Sequence, residues 1–146
     1  MAKVKDILKE KGSAAHSVRT SATVMDALNL MADKKIGAIL VMEQDKLVGI
    51  FSERDFSRKV VLQGKTENTP ITDVMTKHVY YVSNEQTTDE CLALMIDKNI
   101  RHLPIVENDK VIGVLSIRDL VKEVLKGKEI LIKSLENFII SRDTYL

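Results

Sequence analysis

The sequence predicts an α+β fold: two β-α-β-β-α units in tandem, followed by an amphipathic C-terminal helix. Three observations carry this prediction. The chain of 146 residues repeats itself at a spacing of 64, so that Thr23–Asp55 aligns without a gap on Thr87–Asp119, and fourteen of those 33 pairs are identical. Inside each copy the apolar residues recur first with the period of a helix and then with that of strands. Beyond Gly127, a stretch with no counterpart in the first copy places Leu131, Leu135, Phe138 and Ile139 on one helical face.

Each unit opens on a short preamble. Val4-Lys5-Asp6-Ile7-Leu8 resembles Ile71-Thr72-Asp73-Val74-Met75, at a spacing of 67 because the first copy carries three extra residues. Short leading strands are expected near Val18-Arg19-Thr20 and over Val79–Val82. A helix follows: Val24, Ala27, Leu28 and Met31 stand at i, i+3, i+4 and i+7, as do Thr88, Cys91, Leu92 and Met95. Thr23 with Asp26, and Thr87 with Glu90, have the spacing of a capping box at the helix start. Two strands joined by a tight turn come next, Ala38–Met42 and Lys46–Phe51 around Glu43-Gln44-Asp45, repeated as His102–Val106 and Lys110–Leu115 around Glu107-Asn108-Asp109. A second helix closes each unit, over about Glu53–Val61 and about Ile117–Lys126.

The domain reading is therefore residues 1–64 for the first unit, 65–126 for the second and 127–146 for the tail, with Gly64–Pro70 as linker. A unit of about sixty residues is marginal alone, because too little of its surface is removed from water, so the two are expected to share a core. The tail helix needs a partner for its apolar face, either its own chain or a second copy.

Composition narrows the function. With 22 basic and 21 acidic residues the formal net charge is +1, which gives no whole-chain signal for nucleic acid or an anionic membrane. Three Phe, three Tyr and no Trp disfavour a stacking platform for single strands. The single cysteine, Cys91, excludes an intramolecular disulfide and a multi-thiolate zinc site, and its place on an apolar helix face marks it as a core residue. The longest apolar run, Ile36–Met42, is too short to span a bilayer. Charges in Met-Ala-Lys-Val-Lys-Asp occupy the place of a signal peptide's apolar segment, so a cytoplasmic chain is expected. His16, His78 and His102 are too scattered for a metal site, and no glycine pair has the spacing of a dinucleotide fingerprint or phosphate loop.

The residues able to carry chemistry lie where the second strand of each unit runs into its second helix: Gly49-Ile50-Phe51-Ser52-Glu53-Arg54-Asp55 and Gly113-Val114-Leu115-Ser116-Ile117-Arg118-Asp119. Two readings stand side by side. Ser followed three residues later by Asp is a helix cap. The same corner also suits a nucleotide: free N–H groups and an Arg fork for phosphate, a carboxylate for ribose hydroxyls. Arg54 with Arg58, and Arg118 with Lys122, put two cations on one helical face, either as part of that cradle or as a solvated charged face.

The tandem β-α-β-β-α units, each with Gly-apolar-apolar-Ser-x-x-Asp, resemble a pair of CBS domains, the family named for cystathionine β-synthase, over residues 1–126. The segment Ile100-Arg101-His102-Leu103-Pro104-Ile105-Val106 and the preamble Asp73-Val74-Met75-Thr76 also match. The resemblance implies units related by a pseudo-twofold axis with a cleft on either side, and chains that pair into homodimers. It implies a non-catalytic regulatory module for adenosine-containing ligands, AMP, ATP or NAD, with S-adenosylmethionine ranked behind them and no metal required. By position it gives Asp55 and Asp119 to ribose, and Ser52, Ser116, Arg54 and Arg118 to phosphate or ribose. Ile36, Ala38, Ile100, His102 and Pro104 fall at the adenine slots, with Ile50 and Val114 as apolar walls; Arg101 belongs to the same ligand-binding set, and Thr20 and Thr23 line the cleft. The first copy has Gly37-Ala38-Ile39-Leu40 where the second has Arg101-His102-Leu103-Pro104, so the clefts are expected to differ in shape and charge.

Two functions compete at this point: a sensor of adenine nucleotides read out by a regulated protein, and a purely structural dimerisation module whose Ser-x-x-Asp motifs only cap helices. A hydrolase using His102 has no support from spacing, and nucleic-acid or membrane partners are disfavoured.

Overall fold

The computed structural model describes residues 2–126 and 133–139. The elements run α1 (Val4–Lys11), β1 (Ser17–Arg19), α2 (Val24–Lys34), β2 (Ala38–Glu43), β3 (Lys46–Ser52) and α3 (Glu53–Asp55), which continues as a π-helical stretch, Phe56–Val61. After a 3-10 turn, Ile71–Asp73, come α4 (Thr88–Lys98), β4 (His102–Glu107), β5 (Lys110–Ser116) and α5 (Ile117–Leu125). A last helical segment covers 133–139.

Local chemistry fixes the ends of these elements. Thr23 Oγ1 accepts the Asp26 N–H while Asp26 Oδ2 accepts the Thr23 N–H, and Thr87 with Glu90 repeats the arrangement. Lys35 and Asn99 end α2 and α4 in the left-handed conformation, at φ 56° and 54°. Both hairpins turn through two left-handed residues, Gln44-Asp45 and Asn108-Asp109, the geometry whose twist suits a two-residue hairpin. Each hairpin also carries an irregularity at the same place, between Val41 and Met42 and between Ile105 and Val106.

The first sheet is β1-β2-β3, with β1 parallel to β2 and β3 antiparallel to it; the second is β4-β5 alone. The strand expected over Val79–Val82 shrinks to a single parallel bridge between Val82 and Ile105. The cause is Pro104. Its counterpart Leu40 donates its N–H to His16 O, at 3.3 Å, whereas a proline has no N–H to give, and Tyr80 is released from the ladder. The second helix of the first unit also differs from expectation: after three residues it widens, with Leu62 N bonded to Ser57 O and Lys65 N to Val60 O.

Two buried clusters hold the fold, and each draws on both halves of the sequence. Ile71 and Val74, from the preamble of the second unit, are buried among Val24, Ala27, Met31, Ile39, Val41 and Phe51 of the first. Val4 and Ile7, from the N-terminal preamble, are buried among Cys91, Met95, Leu103, Ile105, Leu115 and Leu120 of the second. The backbone follows the side chains: Val4 N bonds Gln86 O and Thr88 N bonds Ala2 O, while Val24 N bonds Thr69 O and Ile71 N bonds Ala22 O. The preambles thus cross over, each filling the other unit's core.

In the tail, Leu131 lies outside the described residues. Leu135, Phe138 and Ile139 are exposed, and Leu135 and Ile139 border a groove with Ile7 of α1 and Leu125 of α5.

Candidate functional site

The strand-to-helix corners are built alike. Ser52 caps α3 by accepting the Asp55 N–H at 3.2 Å, and Asp55 Oδ2 accepts the Ser52 N–H at 3.0 Å. Ser116 and Asp119 form the same box on α5, at 3.2 and 2.9 Å. The capping reading is therefore met at both corners. Each corner also opens onto a cleft of useful size, about 390 Å³ at Asp55 and 400 Å³ at Asp119, within the range of small-molecule sites.

The Asp55 cleft has Ile50, Ala38, Val79 and Ile100 as its apolar walls and Ser52, Arg54, Asp55 and Thr76 as its polar end, with Arg101 and His102 from the second unit. The Asp119 cleft has Val114, Ile36 and Ala38 opposite Ser116, Arg118 and Asp119, again with His102. Each cleft thus draws on both units, and Ala38 and His102 stand on the wall between the two. Thirteen of the sixteen residues expected at the sites line one cleft or both. The other three do not. Thr23 is the cap of α2, Thr20 lies in the turn before it, and Pro104 is buried in β4 opposite Val114.

The corners differ in their cations. Asp55 is 9% exposed; Lys59, one turn along the same helix, reaches its Oδ1 at 3.2 Å, and Thr76 donates to both its oxygens. Glu123 holds the position equivalent to Lys59, so Asp119 takes its cation from elsewhere: Lys11, at the end of α1, bonds Asp119 Oδ2 at 2.6 Å and Val114 O at 2.7 Å. Burial alone would raise the Asp119 pKa, but bonds from Lys11 and Ser116 outweigh it and hold the carboxyl below its ordinary value. Arg54 is committed across the units, donating from Nη1 to the Asn99 carbonyl at 2.6 Å. Burial, then the nearby Lys11, lowers the His102 pKa against the opposing pull of Asp119, so the imidazole is neutral at pH 7.

Sequence reasoning missed Lys11, Lys35, Thr76, His78 and Tyr80 among the lining residues. A signal existed: the preamble spacing of 67 pairs Lys11 with His78, and the body spacing of 64 pairs His16 with Tyr80 and Lys35 with Asn99. Among the described residues no group of three side chains stands ready to hold a metal ion, and no helix is long and apolar enough to cross a membrane.

Comparison with known proteins agrees with this architecture. A protein with CBS domains from Burkholderia ambifaria MC40-6 superposes with a TM-score of 0.84 at 45% identity, over 86% of this chain and 96% of that one. The CBS domain pair of protein MJ0100, solved in complex with 5′-methylthioadenosine and S-adenosyl-L-methionine, gives a TM-score of 0.77 at 25% identity, over 88% and 98%. The mitochondrial CBS domain-containing protein CBSX3 of Arabidopsis thaliana is 35% identical over 84% of this chain. The chain spans 64% or less of the length of the Arabidopsis relatives it matches. The CBS domain family matches residues 4–62 and again 71–126, so this chain belongs to the CBS domain family and carries its unit twice.

Proposed function

We propose that this chain is a non-catalytic regulatory module that binds adenosine-containing ligands, of the AMP, ATP or NAD type, in the clefts at Asp55 and Asp119. One observation carries the reading: a Ser, an Arg and an Asp meet at the mouth of a cleft with an apolar wall, and they do so twice. The wall suits a purine ring, the carboxylate suits vicinal hydroxyls, and the cations suit phosphate. The ligands in the MJ0100 complex support the adenosine part. Such a module acts by biasing how its two units pack, and an unidentified regulated protein reads the change. Homodimers belong to the same proposal; exposed Ile96, Val121 and Val124 on α4 and α5 offer apolar area for pairing.

Calorimetry with AMP, ATP, NAD and S-adenosylmethionine tests the reading. Binding of one or more, weakened by Asp55→Ala or Asp119→Ala with the fold retained, is expected; silence from all four at millimolar concentration defeats it. The completed capping boxes favour a second reading, a structural dimerisation module, which predicts that silence together with a stable dimer in light scattering.

A further inference from the structure

The two clefts share a plan and differ in charge. Four permanent cations, Lys11, Lys35, Arg118 and Lys122, face the lone carboxylate of Asp119, a formal +3. In the Asp55 cleft, Arg54 and Arg101 are matched by Glu53 and Asp55, and Lys59, bonded to Asp55, brings that corner to a formal +1. The difference traces to single substitutions between the copies. Lys35 stands where Asn99 does, so the α2 terminus brings a cation that the α4 terminus lacks. Lys122 lines its cleft, whereas its counterpart Arg58 does not line the other.

The resident partner of each carboxylate differs too. Lys59 sits on the same helix as Asp55, one turn along from it. Lys11 comes from a different element and spends its bonds on two acceptors at the cleft, Asp119 Oδ2 and Val114 O. A ligand whose hydroxyls engage both oxygens of the Asp119 carboxylate competes with that ammonium for Oδ2. An uncharged nucleoside gives it no replacement for the carboxylate; a phosphate chain does, in a cleft where the field of three further cations already concentrates anions.

We propose, building on the nucleotide-binding reading above, that the Asp119 cleft is a polyphosphate site, for a nucleotide carrying two or three phosphates, and that Lys11 sets this preference by turning from Asp119 to the phosphate chain. The Asp55 cleft then serves ligands with one phosphate or none.

The test is calorimetry on the full chain with adenosine, AMP, ADP and ATP at fixed salt, with Lys11→Met and Lys11→Arg beside the wild type. At one of the two sites, affinity rises along the series, with ATP about tenfold or more above adenosine. Lys11→Met removes most of that rise while leaving adenosine as tight or tighter, and Lys11→Arg restores it. Equal losses for adenosine and ATP in Lys11→Met would make the residue a general support and overturn the proposal. A flat series in the wild type overturns it as well, yet leaves the adenosine reading standing. Silence from all four compounds overturns it too, and silence from NAD and S-adenosylmethionine as well defeats the adenosine reading.

Discussion

Gly113 meets Leu8 so closely that a Cβ on the glycine would stand 2.7 Å from Leu8 Cδ2, and the same relationship recurs at Gly49 against Met75. These are the points where each exchanged preamble presses on the hairpin of the other unit. At Gly113 the obstacle is the far end of a flexible side chain. At Gly49 it includes the Thr76 carbonyl, at 3.1 Å, which is fixed by its bridge to Ile50. Gly49→Ala should therefore cost about 2–3 kcal/mol and Gly113→Ala about 1 kcal/mol, read from urea midpoints. Equal costs would mean that the Thr76 backbone yields as readily as a leucine methyl.

Ile71 precedes the second unit in sequence but is wholly buried in the core of the first. Ile71→Ala should destabilise the chain by about 2–5 kcal/mol. Hydrogen exchange should quicken first in β2 and β3, around Ile39 and Val41, rather than in β4 and β5. First effects around Leu103 and Ile105 would contradict the crossed arrangement.

Thr23 caps α2 and lines neither cleft. Thr23→Ala should lower stability by about 1 kcal/mol and leave nucleotide affinity unchanged. Ser116→Ala should cost a similar amount and also weaken binding at the Asp119 cleft. The pair separates capping from ligand contact in one calorimetric comparison.

His102 makes stability depend on pH. Its folded pKa lies below the ordinary 6.5, so the unfolded chain takes up a proton near that pH that the folded chain refuses. Stability should be fullest above pH 6.5, fall as the pH drops through 6.5, and level off below the folded value. His102→Gln should flatten that slope in urea titrations between pH 8 and 5. Asp119 has its carboxyl held below the ordinary 3.8; its contribution is present above that value and is lost as the pH falls through its lowered folded pKa.

Cys91 is fully buried, and burial pushes its thiol up to about 11, with the Glu90 charge adding to the shift. The native chain should resist alkylation at pH 8 and react fully in denaturant. Rapid native labelling would mean that α4 opens readily from its core.

The internal repeat made the two units, their capped helices and their hairpins legible, because identical local chemistry was printed twice at a constant spacing. Ser52, Asp55, Ser116 and Asp119 were found the same way. The crossing of the preambles was not legible: Val4 and Ile71 look alike, and nothing in a one-dimensional pattern says whose core each fills. The Lys11–Asp119 pair spans 108 positions and follows from that crossing, so it was hidden with it. The missing strand over Val79–Val82 was readable in principle, since Pro104 announces the lost donor in its neighbour's sequence rather than in its own.

The crossed preambles also bear on what can be cut or shuffled. Severed between Gly64 and Pro70, each half would walk away with the wrong stopper: the first lacking Ile71 and Val74, the second lacking Val4 and Ile7. Two such halves can make themselves whole only by reuniting. The tandem, and not the unit, is thus the smallest piece of this chain that evolution or an engineer can move intact.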